Sequence, residues 1–75
     1  MMTHDRPHLT RQVVAVIERR GFRLTRKSGS HSVYKDEAGR RITLPVHGTK
    51  VLHPKVLASI LRDAEITWEE LQKLL

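Results

Sequence analysis

The hydrophobic period changes twice along this chain, and those two changes decide its architecture. Between Leu9 and Arg20 the apolar residues Val13, Val16 and Ile17 fall on one stripe of a helix. From Phe22 to Val46 the pattern alternates, and breaks rich in Gly and Ser cut it into three strand-length pieces. Past Pro54, Leu57, Ile60, Leu61 and Ala64 return to the i, i+3, i+4, i+7 spacing of a helix. Helix, three antiparallel strands and helix is an α+β order. One apolar stripe per helix predicts that both helices pack on a single sheet face and leave the other face polar.

Local signals sharpen the boundaries. Thr10 is the expected N-cap of the first helix. Arg19 and Arg20 fill its last turn, where cations complement the helix dipole, and Gly21 is available for a left-handed cap. In the first strand, Phe22 and Leu24 are expected to face inward and Arg23, Thr25 and Lys27 to face water. Ser28-Gly29-Ser30 reads as a turn into the strand His31–Lys35, with Tyr34 on the face opposite Val33 and free to stack on a base or a partner surface. Asp36-Glu37-Ala38-Gly39 reads as a hairpin turn. The third strand spans residues 40–45, with Ile42, Leu44 and Val46 on one face, and Pro45 ends it or puts it at an edge. His47-Gly48-Thr49-Lys50 is a loop, and His53 then caps a helix whose first residue is Pro54. Thr67-Trp68-Glu69-Glu70 is a capping box with Ile66 and Leu71 as its staple, so a short extra helix closes over the core from Trp68, itself a lid.

A chain of 75 residues closes one core, so residues 9–75 are expected to be a single domain behind a flexible lead-in, residues 1–8, that includes His4 and His8. There is no cysteine, which removes disulfides, thiolate zinc sites and thiol nucleophiles. No apolar run has the length of a membrane span and the N-terminus lacks a secretion pattern, so a cytoplasmic protein is expected.

The charge is uneven. Residues 1–50 carry eleven Lys/Arg against four Asp/Glu, and residues 51–75 three against four, which together make the net +6. A basic first two-thirds suits a polyanion, although solubility alone would also account for it. Five histidines invite a metal site, but the His-Glu-x-x-His form is absent and the one pair four residues apart, His4 and His8, falls in the lead-in around Pro7 and not on a helix. Asp36 and Glu37, adjacent in a turn, do not suit paired acid/base work, and Ser30, His31 and Asp36 lack the setting of a nucleophile elbow.

The Gly29-Ser30-His31 turn is the more informative feature. Small residues let a phosphate backbone approach, and Arg23, Arg26, Lys27, Lys35, Arg40 and Arg41 surround it. Histidine exchanges protons near neutral pH, and RNA brings its own nucleophile in the ribose 2′-hydroxyl. A histidine so placed can drive RNA cleavage without a metal, with cations stabilising the phosphorane. Taken alone, such a histidine is more often structural or a simple phosphate contact. His47 is a second candidate for contact with RNA, against its reading as an ordinary turn residue. With one Phe, one Tyr and one Trp, the chain has no aromatic platform for reading single-stranded bases.

In combination, Gly21-Phe22, Arg26, Gly29-Ser30-His31, Gly39-Arg40, Pro45-Val46-His47-Gly48 and Ile60-Leu61-Arg62-Asp63-Ala64 resemble the HicA family of mRNA interferase toxins, over about residues 9–75. Two positions depart from that pattern: Lys55 and Glu65 stand where glycines are common in the family. The resemblance implies a double-stranded-RNA-binding-like α-β-β-β-α fold, metal-independent cleavage of mRNA, no cofactor, and neutralisation by a HicB-type antitoxin. It also implies that His31 is the catalytic histidine. Fold and charge alone are equally served by a non-catalytic module that binds double-stranded RNA, or by a purely protein-binding domain.

Overall fold

The computed structural model describes residues 8–46 and 49–75. Its elements are β1 (His8–Leu9), α1 (Thr10–Arg19), β2 (Arg23–Ser28), β3 (His31–Lys35), β4 (Arg41–Pro45), β5 (Val51–Leu52), α2 (Pro54–Ala64) and α3 (Trp68–Leu74). The antiparallel sheet β2-β3-β4 lies between α1 and α2 in the chain, as the alternation predicts. A second ribbon, in which β1 pairs antiparallel with β5, is not foreshadowed by the sequence pattern.

One cluster forms the core. Val13, Val16 and Ile17 of α1 and Leu57, Ile60, Leu61 and Ala64 of α2 meet Tyr34, Ile42 and Leu44 of the sheet, with Phe22, Leu52, Ile66 and Leu71 filling the ends. Trp68 packs against this cluster as a lid. Tyr34 is therefore a core residue at 8% exposure and has no free face for a base or a partner; its position opposite Val33 is what takes it inward.

The helix ends are built by local chemistry. At the end of α1, the Gly21 N–H donates to the Glu18 carbonyl and the Phe22 N–H to that of Ile17, with Gly21 at φ +93°. This is the left-handed turn that folds the chain from helix into strand and drops Phe22 into the core. The start of α1 differs from expectation. Leu9 is the N-cap, its N–H bonded to the Gln12 side chain, while Thr10 lies inside the helix. Both the Thr10 amide and its buried hydroxyl donate to the Lys50 carbonyl at 2.8 Å, because β5 brings that carbonyl alongside. His8, expected in a flexible lead-in, is instead buried in β1 opposite Leu52, and its Nδ1 has no hydrogen-bond partner among the described residues.

His53 caps α2 as expected, its Nδ1 accepting from the Lys55 amide at 3.0 Å. In α3, Thr67 Oγ1 accepts from the Glu70 amide while the Glu70 carboxylate accepts from the Thr67 amide, both at 3.0 Å. Arg20 of the α1 cap then pairs with Glu70 at 2.7 Å, and Arg19 donates to the Leu74 carbonyl, so α3 holds the end of α1.

Glu65 ends α2 at φ 57°, ψ 43°, the left-handed conformation that a glycine would adopt freely. The turn repeats the pattern at the end of α1, with Glu65 N–H donating to Arg62 and Ile66 N–H to Leu61. A side chain there costs about 1 kcal/mol, while the Glu65–Arg40 pair at 2.9 Å, largely open to solvent on the Glu65 side, returns at most a few tenths of a kcal/mol. Glu65→Gly should therefore raise stability by about 0.5–1 kcal/mol. An unchanged or lower urea midpoint would contradict this account of the turn.

Candidate nucleic-acid interface

Burial of Tyr34, Ile42 and Leu44 fixes which side chains face away from the helices. Tyr34 is opposite Ile42, and Ser32 opposite Leu44, so these four point inward. Successive strand residues alternate faces, and so His31, Val33 and Lys35 of β3 and Arg41, Thr43 and Pro45 of β4 point outward. On β2, residues directly opposite outward ones are Arg23 (facing Lys35), Arg26 (facing Val33) and Ser28 (facing His31). The outer face thus carries three rows across the strands. One row is Ser28, His31 and Pro45. The middle row is Arg26, Val33 and Thr43, and the last is Arg23, Lys35 and Arg41.

A register shift between Leu24 and Arg26 makes this possible. Thr25 is the extra residue, and its hydroxyl bonds the Val33 carbonyl at 3.1 Å. Without it, strict alternation from Arg23 would place Lys27 outward and Arg26 inward. With it, Arg26 joins the outer face and Lys27 turns to the helix side, where it lines a groove with Val14, Glu18 and Tyr34. Leu24 points the same way, but β2 is the sheet edge, and Leu24 is 45% exposed instead of packed. Val33 is 8% exposed although it lies outside the helix-covered core.

His31 starts β3 and is exposed. The Gly29-Ser30 turn that delivers it has Gly29 at φ +60° and Ser30 outside the positive-φ region, as a two-residue II′ hairpin turn requires. The Ser30 carbonyl accepts from the Val46 amide at 2.9 Å, which ties the turn to the end of β4. The Ser30 hydroxyl lies 3.5 Å from His31 Nδ1, and Nε2 has no partner among the described residues. Arg26 is the diagonal neighbour of His31 on this face, roughly 7–8 Å away by ladder geometry and within reach of a long side chain.

β2, β3 and β4 contain Arg23, Arg26, Lys27, Lys35 and Arg41 and not one carboxylate. Arg40, expected to join them, is occupied elsewhere. Its amide and Nε donate to the two Asp36 oxygens at 2.8 and 2.9 Å, and its other end reaches Glu65. Burial pushes the Asp36 carboxyl up, but the backbone and side-chain hydrogen bonds and the charge of Arg40, with the Ala38 amide, outweigh it and hold Asp36 below its usual value. Tyr34 is raised, by burial first and then by the Glu18 charge, so its hydroxyl stays protonated on the inner face. His47 lies outside the described residues. Of the residues expected at the site, the structure brings Arg23, Arg26, His31, Lys35 and Arg41 onto one face with the Gly29-Ser30 turn at its end. Thr43 and Ser28 also stand on that face, and only the register could have shown it. Among the described residues no three His, Asp or Glu side chains converge to hold a metal ion.

The molecule is a small α+β domain with a carboxylate-free cationic sheet face and an exposed histidine at its corner, a surface whose charge suits an anionic ligand. A family profile described as the HicA toxin of bacterial toxin–antitoxin systems matches residues 10–66, which covers everything from α1 to the turn after α2. The chain belongs to the HicA toxin family: it is the toxin of a toxin–antitoxin pair, and an antitoxin is its partner. Helix α3 lies beyond the matched region. Comparison with curated proteins gives no match. Among the described residues no helix is long and apolar enough to cross a membrane.

Asp36 and Glu70 both titrate below their usual range. For Glu70 the leading cause is the Thr67 amide, opposed by burial and aided by Arg20. A lowered folded-state pKa adds stability that is fully present above the ordinary carboxylate range, about 4, and is lost as pH falls through the folded value. Melting temperature should therefore drop on going from pH 6 to pH 3, and drop less in Asp36→Asn, which is already less stable at pH 6. Parallel pH curves for the two proteins would show that the Arg40–Asp36 pair has no part in the acid response.

Proposed function

We propose that the chain is an endoribonuclease that cuts mRNA, with His31 as its proton-transfer group. The observation carrying this reading is the placement of an exposed, nearly unpartnered imidazole at the end of a sheet face whose charged side chains are all cationic. On this reading the RNA backbone lies over that face. His31 Nε2 takes the proton from a ribose 2′-hydroxyl, O2′ bonds to the adjacent phosphorus, and the P–O5′ bond breaks. The leaving 5′-oxygen takes a proton from water or a second acid, and a 2′,3′-cyclic phosphate remains. Arg26, the nearest cation on the face, stabilises the phosphorane oxygens, and the Gly29-Ser30 turn leaves room for the backbone.

Because the 2′-hydroxyl supplies the nucleophile, the scheme calls for no metal-bound water. Membership of a toxin family supports a destructive activity over a passive binding module. A HicB-type antitoxin would silence it by covering the outer face, and the cytoplasm, where mRNA is translated, is the place of action. Arg23, Lys35 and Arg41 are assigned to backbone contacts. Arg40, Lys27 and His47 are weaker candidates, Arg40 because its guanidinium is already paired and Lys27 because it lies on the other face.

In chelator, the purified chain should cleave labelled RNA, and His31→Ala should lose about 10²-fold or more of that activity, the usual worth of a general base. RNA affinity should change less than about twofold, since the cations are kept. Cleavage by His31→Ala at the wild-type rate would remove the histidine from the mechanism. RNA binding without cleavage by either protein would instead establish the non-catalytic module.

A further inference from the structure

The last row of the outer face joins three like charges, none of them in an ion pair among the described residues. Arg23, Lys35 and Arg41 are direct neighbours across three strands, all exposed. Like charges placed directly opposite each other destabilise a sheet. Asp36 and Glu37 line the same cleft as Arg23 and Lys35, but Asp36 is paired with Arg40 and Glu37 makes no ion pair with the row. Arg23 and Lys35 also line one cleft at this end of the sheet, together with Arg20, Thr25 and the hairpin. Folding draws no benefit from such a row, whereas an anionic ligand would.

Resting on the nuclease reading above, we propose that Arg23, Lys35 and Arg41 form a phosphate subsite separate from the cleavage point. It binds the same RNA strand some nucleotides away and makes cleavage dependent on substrate length. The spacing follows from the ladder. His31 and Lys35 are four residues apart on one strand, about 13 Å at roughly 3.3 Å per residue. A sugar–phosphate repeat covers roughly 6 Å, so the row meets a phosphate about two nucleotides from the scissile bond. The middle row, with Arg26 beside Val33 and Thr43, lies between and bridges the two ends. The three rows run in one direction away from the Gly29-Ser30 turn, so the subsite serves one side of the cut only.

The test uses 2′-O-methyl oligonucleotides with a single ribonucleotide at a site first mapped in a longer transcript, so that only one bond can be cut. Flanks are lengthened one nucleotide at a time on each side. Wild-type kcat/KM should rise roughly tenfold on one side as the flank passes about two nucleotides, then level off. In Lys35→Ala/Arg41→Ala that step should vanish, so that kcat/KM no longer changes with flank length on either side. A wild-type kcat/KM independent of flank length, or a step that survives in the double variant, overturns the subsite. Each of these leaves His31-dependent cleavage standing. No cleavage of any substrate by wild type would instead be the failure of the nuclease reading, and the subsite would fall with it.

Discussion

Every outward side chain on the sheet owes its position to three inward ones. Tyr34, Ile42 and Leu44 share one face with α1 and α2 above them, and their burial pins the register of β3 against β4. A slip of one residue would send Tyr34 and Ile42 into water and bring Lys35 and Arg41 under the helices. Burying such charges unpaired costs several kcal/mol each. The apolar core therefore decides more than stability. It selects which cations form a common surface and sets His31 at the corner of it.

A core this small needs help at its ends. α3 supplies some, sealing Leu71 into the cluster and fastening the end of α1 through Arg20–Glu70 and Arg19–Leu74. β1 and β5 supply the rest by bringing the Lys50 carbonyl to Thr10 and covering His8. These ties lie on the helix side of the sheet or at its margins. None uses a side chain of the outer face, which is left free for a ligand.

Much of this was legible from residue order. Periodicity gives the helices, and glycine positions give the turns at Gly21, Gly29 and Gly39, all three at positive φ. The capping residues His53 and Thr67 act through local bonds that spacing alone reveals. What escaped was non-local. Thr25 carries no mark of being an extra residue, yet it exchanges the faces expected for Arg26 and Lys27. Thr10 resembles an N-cap, but a carbonyl forty residues away takes its hydroxyl. Arg40 resembles its neighbour Arg41 in sequence, and only the fold shows that Asp36 and Glu65 hold the one and leave the other free. His8 and Tyr34 misled for the same reason: whether a residue is covered depends on elements distant in the chain.

The location of the candidate site has its own logic. It is an open face and not an enclosed pocket, which for the nuclease proposed above suits a long polymer laid across it and an antitoxin that displaces that polymer. On such a surface, affinity comes from charges spread over many phosphates, while chemistry needs one group held at one place. The sheet separates the two tasks. The cations occupy successive rungs of the ladder, where each can be lost at a modest cost in binding. The imidazole sits at the hairpin end, where Gly29 admits the backbone and the Ser30–Val46 hydrogen bond limits movement of the turn. On the proposed reading, removing a cation weakens the hold on RNA by degrees, whereas removing His31 takes away the one imidazole among the described residues of the face.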